Sequence, residues 1–401
     1  MRDAVKLAIA IGFAIGCGDS KTPMPSPEEP PAGESQLPLA DVTAISVGGD
    51  HVCAVVTGGV VRCWGQNHFE QIGPADVAGD QSARPLQVRG LPAMVSVAAG
   101  KAHTCALAAD GSVWCWGNNL LGESGNGSFL GGLPGAAAGR LHASTPVQVV
   151  GLTGPVSLIA SASSETSDAS YTCALMPDRT ARCWGEDQIV RRTGNAIAPT
   201  MLAGVDDVSA LAAGWYHACA LSGGGTIKCW GFPALGGGDG DDESETPVEV
   251  AGLAGVTQIV AGSRHVCVLT GAGTVSCWGP LGIELGNGED GSLTPVPVRG
   301  LEGVTMLAAS GHQTCALRAD GTVWCWGTWP SGDDWISVPV PASIAGVSGA
   351  IAVSVGYRSA CARLSDGTVK CWGDDSDGAL GRGSRTTADR VPTASVVVSG
   401  P

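Results

Sequence analysis

The sequence predicts an all-β fold: a β-propeller of seven four-stranded blades, each holding one cross-strand disulfide. Three observations carry that expectation. Fourteen of the 15 cysteines fall into seven pairs spaced ten residues apart, and every second cysteine is followed by Trp-Gly. The pairs recur at a mean step of about 51 residues, the length of a blade-type repeat. Short strand-like runs bounded by turn residues fill each step, and no segment sustains the 3.6-residue period of a helix. An open all-β solenoid is the alternative architecture.

In chain order, residues 1–16 read as an export leader. Arg2 and Lys6 flank an apolar run, Leu7 to Gly16, that is too short to span a bilayer. Ala14-Ile15-Gly16-Cys17 resembles the bacterial lipoprotein cleavage box, although that box usually has leucine where Ala14 stands. The resemblance implies cleavage before Cys17, lipidation of Cys17 and firm anchoring by several acyl chains. An ordinary secretory signal is the alternative. Residues 17–38 read as a tether, because the proline-dense run Thr22 to Pro31 builds neither a helix nor a sheet core. Residues 39–401 are the propeller. This reading places the protein in a bacterial cell envelope, at the outer membrane or cell surface, touching membrane only through its lipid anchor.

Each hairpin follows from its cysteine spacing. With a three-residue loop at 109–111, Cys105 and Cys115 stand opposite each other. Asp110-Gly111, Asp320-Gly321 and Asp366-Gly367 supply the turn chemistry for such loops. Opposed α-carbons at a non-hydrogen-bonded site lie about 4.5 Å apart, within reach of a disulfide. The expected pairs are Cys53 with Cys63, Cys105 with Cys115, Cys173 with Cys183, Cys219 with Cys229, Cys267 with Cys277, Cys315 with Cys325 and Cys361 with Cys371. Zinc is the competing reading, but structural zinc sites bring closely spaced Cys-x2-4-Cys pairs that this chain lacks. In the third hairpin Arg179 stands where others have glycine, so that turn is expected to be strained or differently shaped. The segment Val391 to Val398 follows the last hairpin and is expected to complete the first blade, closing the ring.

Gly100-Lys-Ala-His103, Asp110-Gly111, Trp116-Gly117 and Gly122-Glu-Ser-Gly125 recur in register over roughly residues 40–400. They resemble the regulator of chromosome condensation repeat family. The resemblance implies a seven-bladed propeller used as a protein-binding platform. Nuclear members act as exchange factors on a small GTPase, an activity that the leader, the disulfides and the acidic charge argue against carrying over. Fold alone does not supply a target.

The net charge of −15 argues against nucleic acid and against an anionic membrane surface as partners. There is no Gly-x-Ser-x-Gly elbow, no phosphate-binding loop and no His-Glu-x-x-His helix. The expectation is therefore a monomeric, non-catalytic module without cofactor that binds another protein. A glycan-binding or glycan-processing propeller and a structural spacer are the alternatives. His51, His103, His217 and His265 recur at one repeat position, with Tyr171 replacing one of them, and read as structural groups bonding within their own blades. The tryptophans after the second cysteines read as blade packing.

Residues that break the repeat are the candidates for binding. Trp329 and Trp335 flank Pro-Ser-Gly-Asp-Asp in a polar loop, and Trp215 and Tyr216 precede a hairpin. Such aromatic pairs suit partner anchors or sugar stacking. The glycine-rich stretch 118–144 is a long insertion. Asp239, Asp241, Asp242 and Glu243 are a weak calcium candidate that lacks the spacing of a calcium loop, and a solvated acidic loop is the plainer reading.

Overall fold

The computed structural model describes residues 37–74, 79–128, 142–152, 154–155, 157–160, 171–185, 196–215, 217–232, 235–237, 244–331, 334–385 and 395–398. They form seven four-stranded antiparallel sheets, each built from consecutive strands. Blade 1 holds β1 (Val42–Val47), β2 (His51–Val56), β3 (Val60–Gln66) and β4 (Gln81–Gln87). Blade 2 holds β5 (Met94–Ala99), β6 (His103–Ala108), β7 (Val113–Asn118) and β8 (His142–Gln148). Blade 3 holds β9 (Ser157–Ala160), β10 (Tyr171–Leu175), β11 (Ala181–Gly185) and β12 (Ala196–Met201). Blade 4 holds β13 (Val208–Ala213), β14 (His217–Ser222), β15 (Ile227–Gly231) and β16 (Ser244–Glu249). Blade 5 holds β17 (Val256–Ala261), β18 (Val266–Thr270), β19 (Val275–Gly279) and β20 (Ser292–Pro297). Blade 6 holds β21 (Val304–Ser310), β22 (Gln313–Arg318), β23 (Val323–Ser331) and β24 (Asp334–Ser343). Blade 7 holds β25 (Ala350–Val355), β26 (Ser359–Leu364), β27 (Val369–Gly373) and β28 (Ser395–Val396). Within each blade the strands are lettered A to D from the channel outward.

All seven expected disulfides are present, one per blade. Cys53 is bonded to Cys63, Cys105 to Cys115, Cys173 to Cys183 and Cys219 to Cys229. Cys267 is bonded to Cys277, Cys315 to Cys325 and Cys361 to Cys371. Each bridge joins directly opposed residues of strands B and C, with α-carbons 4.1 Å apart. Every bridge is buried. The core lies between blades rather than within them. Cys53, Val61 and Ile72 of blade 1 pack with Met94, Val97 and Trp116 of blade 2, and the same arrangement repeats around the ring. A blade is a thin sheet that cannot bury its faces alone, so each neighbour completes the other's core.

The terminal strand departs from expectation. β28 pairs with β27 as strand D of blade 7 and does not complete blade 1. Closure comes from the other end: Pro38 bridges to Val398, and Leu39 N–H donates to Val397 O at 2.8 Å. Leu39, Val42 and Trp64 then share a cluster with Cys361, Cys371 and Val397. Arg179 takes φ +63°, close to the +85° of Gly111 in the equivalent turn. That turn keeps the common shape and carries the strain on a non-glycine residue, while Arg179 Nε pairs with Asp207 Oδ1 at 2.8 Å.

Because strands alternate in direction, the A–B and C–D connections leave one end of each blade and the B–C hairpins leave the other. The ring therefore has a loop face and a hairpin face. Between them runs a central cavity of about 310 Å³, lined by the seven A strands. Its described lining contains no carboxylate. Part of the exposed A-strand backbone is satisfied across blades: Ser46 Oγ accepts from Ala99 N–H, and Ser354 Oγ from Val47 N–H.

Candidate functional site on the loop face

The loop face is built from two repeated devices. In the A–B turn, a buried histidine reaches into the next blade rather than bonding within its own, which corrects the sequence reading. His51 Nε2 lies 2.8 Å from Thr104 Oγ1, His103 Nε2 2.7 Å from Thr172 Oγ1, and His265 Nε2 2.7 Å from Thr314 Oγ1. Thr104 donates its own proton to Gln71 O at 3.1 Å, so His51 Nε2 is the donor in its pair. Where blade 5 has Val266 in place of threonine, neither ring nitrogen of His217 has a partner among the described residues. Tyr171, the histidine replacement, donates to Gly214 O or His217 O, each at 3.2 Å. Burial holds His103 at a pKa of about 4. Burial, with His103 and Lys101 nearby, holds His51 at about 3. Burial, with His265 nearby, holds His217 at about 4. These three rings are neutral wedges at neutral pH, in agreement with their structural reading.

In the second device, the C–D loop of one blade passes over the tryptophan of the next. Trp116 Nε1 donates to Gln71 O, Trp184 to Glu123 O, Trp326 to Glu284 O and Trp64 to Ala379 O, at 2.9 to 3.0 Å. The loop comes so close that a Cβ at Gly125 would lie 2.8 Å from Trp184, and one at Gly286 2.9 Å from Trp326.

Departures from these devices give the face its individuality. Glu284 is fully buried, between His265 Nδ1 at 3.4 Å and His312 Nδ1, with which it makes a short contact. Burial raises its carboxyl, but hydrogen bonds from both histidines outweigh that and bring it down to about 2. On the opposite arc, Lys101 Nζ lies 4.4 Å over the Tyr357 ring and 3.5 Å from Asp50 Oδ2. Trp335 meets Tyr357 edge-on at 6.5 Å, and the Arg264 guanidinium lies 5.5 Å from the Trp215 ring. Arg358 pairs with Asp374 at 3.1 Å. Burial pushes the Asp377 carboxyl up, with help from Asp50 and Asp374. Phe232 and Leu281, in C–D connections of blades 4 and 5, are exposed.

The structure separates the two tryptophans that sequence grouped. Residues 327–331 and 334–338 form an antiparallel ribbon that extends blade 6, not an irregular loop. Trp329 is 1% exposed and packs with Val347, Val353 and Trp372, whereas Trp335 is 45% exposed. Trp215 is half-buried. Tyr216, Cys17, Asp239, Asp241, Asp242 and Glu243 lie outside the described residues, as do residues 129–141 of the long insertion. Among the described residues no three His, Cys, Asp or Glu side chains are grouped to hold a metal ion. Sequence reasoning passed over Glu284, His312, Lys101 and Tyr357. The available signal for the first was its place in the loop where blade 2 has Glu123.

The regulator of chromosome condensation (RCC1) repeat model matches residues 42–71, 94–123, 208–236, 256–279 and 350–379, and a second model of the same repeat matches 59–107. The matched segments fall in blades 1, 2, 4, 5 and 7. Protein pim1 of Schizosaccharomyces pombe is 24% identical over 257 residues, covering 58% of this chain and 45% of pim1. The Arabidopsis thaliana ultraviolet-B receptor UVR8 is 26% identical over 203 residues, covering 49% of this chain and 42% of UVR8. The chain thus spans less than half the length of these curated relatives. Among solved structures, Prp20p from Saccharomyces cerevisiae superposes with a TM-score of 0.69 at 21% identity, over 85% of this chain and 86% of Prp20p. Human WBSCR16 gives 0.68 at 19% identity, over 84% and 94%. Likeness at this identity establishes the propeller fold.

Proposed function

We propose that this RCC1-repeat propeller is an exported, lipid-anchored, monomeric module that binds another protein on its loop face and performs no catalysis. One observation carries the reading. The repeat-breaking aromatics Trp215, Phe232, Trp329 and Trp335 and the exposed Leu281 belong to A–B or C–D segments, whereas Trp114 and Trp324 stand beside the B–C hairpins. The exposed Phe232 and Trp335 therefore emerge on the loop face, where Trp215 lies beside Arg264 and Tyr357 beside Lys101. Exposed aromatic residues with arginine neighbours are the usual anchors of protein interfaces. Prp20p, similar in fold, is described as binding Gsp1p and histones, and in another structure as bound to Kap60. Seven buried disulfides suit an oxidising compartment, and Cys17 with its preceding small residues supports lipid anchoring. The sugar-stacking alternative needed two accessible tryptophans, and Trp329 is not accessible.

The test is affinity capture from envelope extract with the wild-type chain and a Trp335→Ala, Tyr357→Ala variant. A specific protein recovered by the first and lost with the second is expected. Equal recovery by both would overturn the reading, as would glycan-array binding that depends on Trp335. In the same cells Cys17→Ala should release the chain from the membrane fraction.

A further inference from the structure

We infer that the outer edge of β24, over residues 334–338, is an acceptor strand for an extended segment of the partner protein. The inference rests on the loop face being the binding face. It starts from a latch repeated between blades. A glycine N–H in the C–D loop of one blade donates to a carbonyl on the outer edge of the next: Gly127 to Ile197 O, Gly383 to Ala83 O, and Gly288 to Pro339 O, at 2.9 to 3.1 Å. In β4 and β12 the strand begins two residues and one residue before the latched carbonyl. In β24 it begins five residues before, so the edge runs on past its latch.

The rest of the edge is blunted, and this part is not. Two residues beyond each latched carbonyl stands a proline, Pro85, Pro199 or Pro341, which has no N–H to offer. In β24 the latched residue is itself Pro339. Backbone groups alternate along a strand. Since Pro339 O points outward, the N–H and C=O of Ser337 and Trp335 point outward too. Residues 334, 336 and 338 face Ser331, Trp329 and Gly327 of β23. Among the described residues no backbone group bonds to the outward side of Trp335 or Ser337. Strand addition needs free, outward-facing main-chain groups on a sheet edge, and Trp335 and Ser337 present two successive sets of them.

The ribbon is also held ready. Trp329 is locked in the blade 7 core and Trp335 rests edge-on against Tyr357, so little ordering cost is left for binding. Trp335 and the exposed Ile336 point to opposite faces of the ribbon and offer an apolar side chain on each. The occupant is a different polypeptide rather than a second copy. The chain carries −15 net charge, so two copies would repel. The segment that fits is extended, alternates apolar and polar residues, and is flanked by Lys or Arg.

The probe is a phage-displayed random peptide library selected on the full chain, with amide exchange measured on the bound complex. Enriched peptides should alternate, carry basic flanks, and slow exchange at the Trp335 and Ser337 amides. Ser337→Pro, which adds a proline in phase with Pro339 and Pro341, should weaken them about tenfold, while Ser337→Thr should not. The exchange measurement needs no variant and decides the matter if Ser337→Pro folds poorly. No enrichment, or peptides that leave both amides exchanging freely, would overturn the inference. A captured partner lost with Trp335→Ala, Tyr357→Ala but retained by Ser337→Pro would leave the loop-face reading standing and remove only the acceptor edge.

Discussion

The hairpin face and the loop face are made from the same seven repeats and have diverged in opposite ways. On the hairpin face, Gly59, Gly111, Arg179, Gly225, Gly273, Gly321 and Gly367 all sit at φ between +63° and +85°. Turn carbonyls there are taken by the next blade, as when Gly59 O accepts from Met94 N–H and Gly321 O from Ala350 N–H. On the loop face, C–D connections range from the two residues between β23 and β24 to the 23 between β7 and β8. The hairpin turns are occupied twice over, by the disulfide ladder above them and the neighbouring blade beside them. The C–D connections owe the ring only a carbonyl for the next tryptophan and a glycine for the latch. Beyond those points they are free to vary, and the variation collects where a partner can reach it.

Acid should break the comparison most forcefully. His51, His103 and His217 are held near 3 to 4 in the fold, against about 6.5 in the unfolded chain. Below pH 6.5 the unfolded chain binds more protons, so stability is complete above that value and declines as pH falls toward 4. The expected loss is on the order of several kcal/mol by pH 4, read as the urea midpoint. Amides at the A–B turns, such as Gly49, should open before hairpin amides such as Gly111. A midpoint flat from pH 7 to pH 4 would remove the wedge role of the histidines.

Glu284→Ala leaves two histidines facing an empty buried site and should cost about 3–5 kcal/mol, measured by urea denaturation at pH 7. Gly286→Ala places a methyl 2.9 Å from Trp326 at φ +67° and should cost about 1–3 kcal/mol, with slightly shifted tryptophan fluorescence. The smallest effect belongs to the hairpin face. Arg179→Gly relieves a left-handed arginine and loses an exposed ion pair. A net gain of about 1 kcal/mol is expected, with partner capture unchanged.

Much of this was legible in the sequence, for a physical reason. A disulfide between strands B and C depends on spacing within one hairpin, so ten residues and a turn suffice to predict it. Relations between blades were not legible in the same way. His103 and Thr172 are 69 residues apart, and nothing in either repeat alone shows that rotation about the channel brings them together. The phase of a periodic chain is similarly hidden. The step of about 51 residues gives the length of a repeat but not where a blade begins, so the strand after the last hairpin was placed in blade 1 rather than in blade 7. The β23–β24 ribbon was missed because Pro330, Ser331 and Gly332 read as loop chemistry. Its stability comes from Trp329 packing on blade 7, a contact with no local signature.

The central claim is that partner contact is confined to the loop face, and a photo-crosslinking scan tests it most directly. A photoreactive phenylalanine analogue is placed singly at Phe232, Leu281, Trp335 and Tyr357 on that face. It is also placed at Asp110, Asp320 and Asp366 in the hairpins. Crosslinks to one protein from the first group and none from the second are predicted. Crosslinks to that protein from Asp110, Asp320 or Asp366, with the loop-face positions silent, would contradict the account.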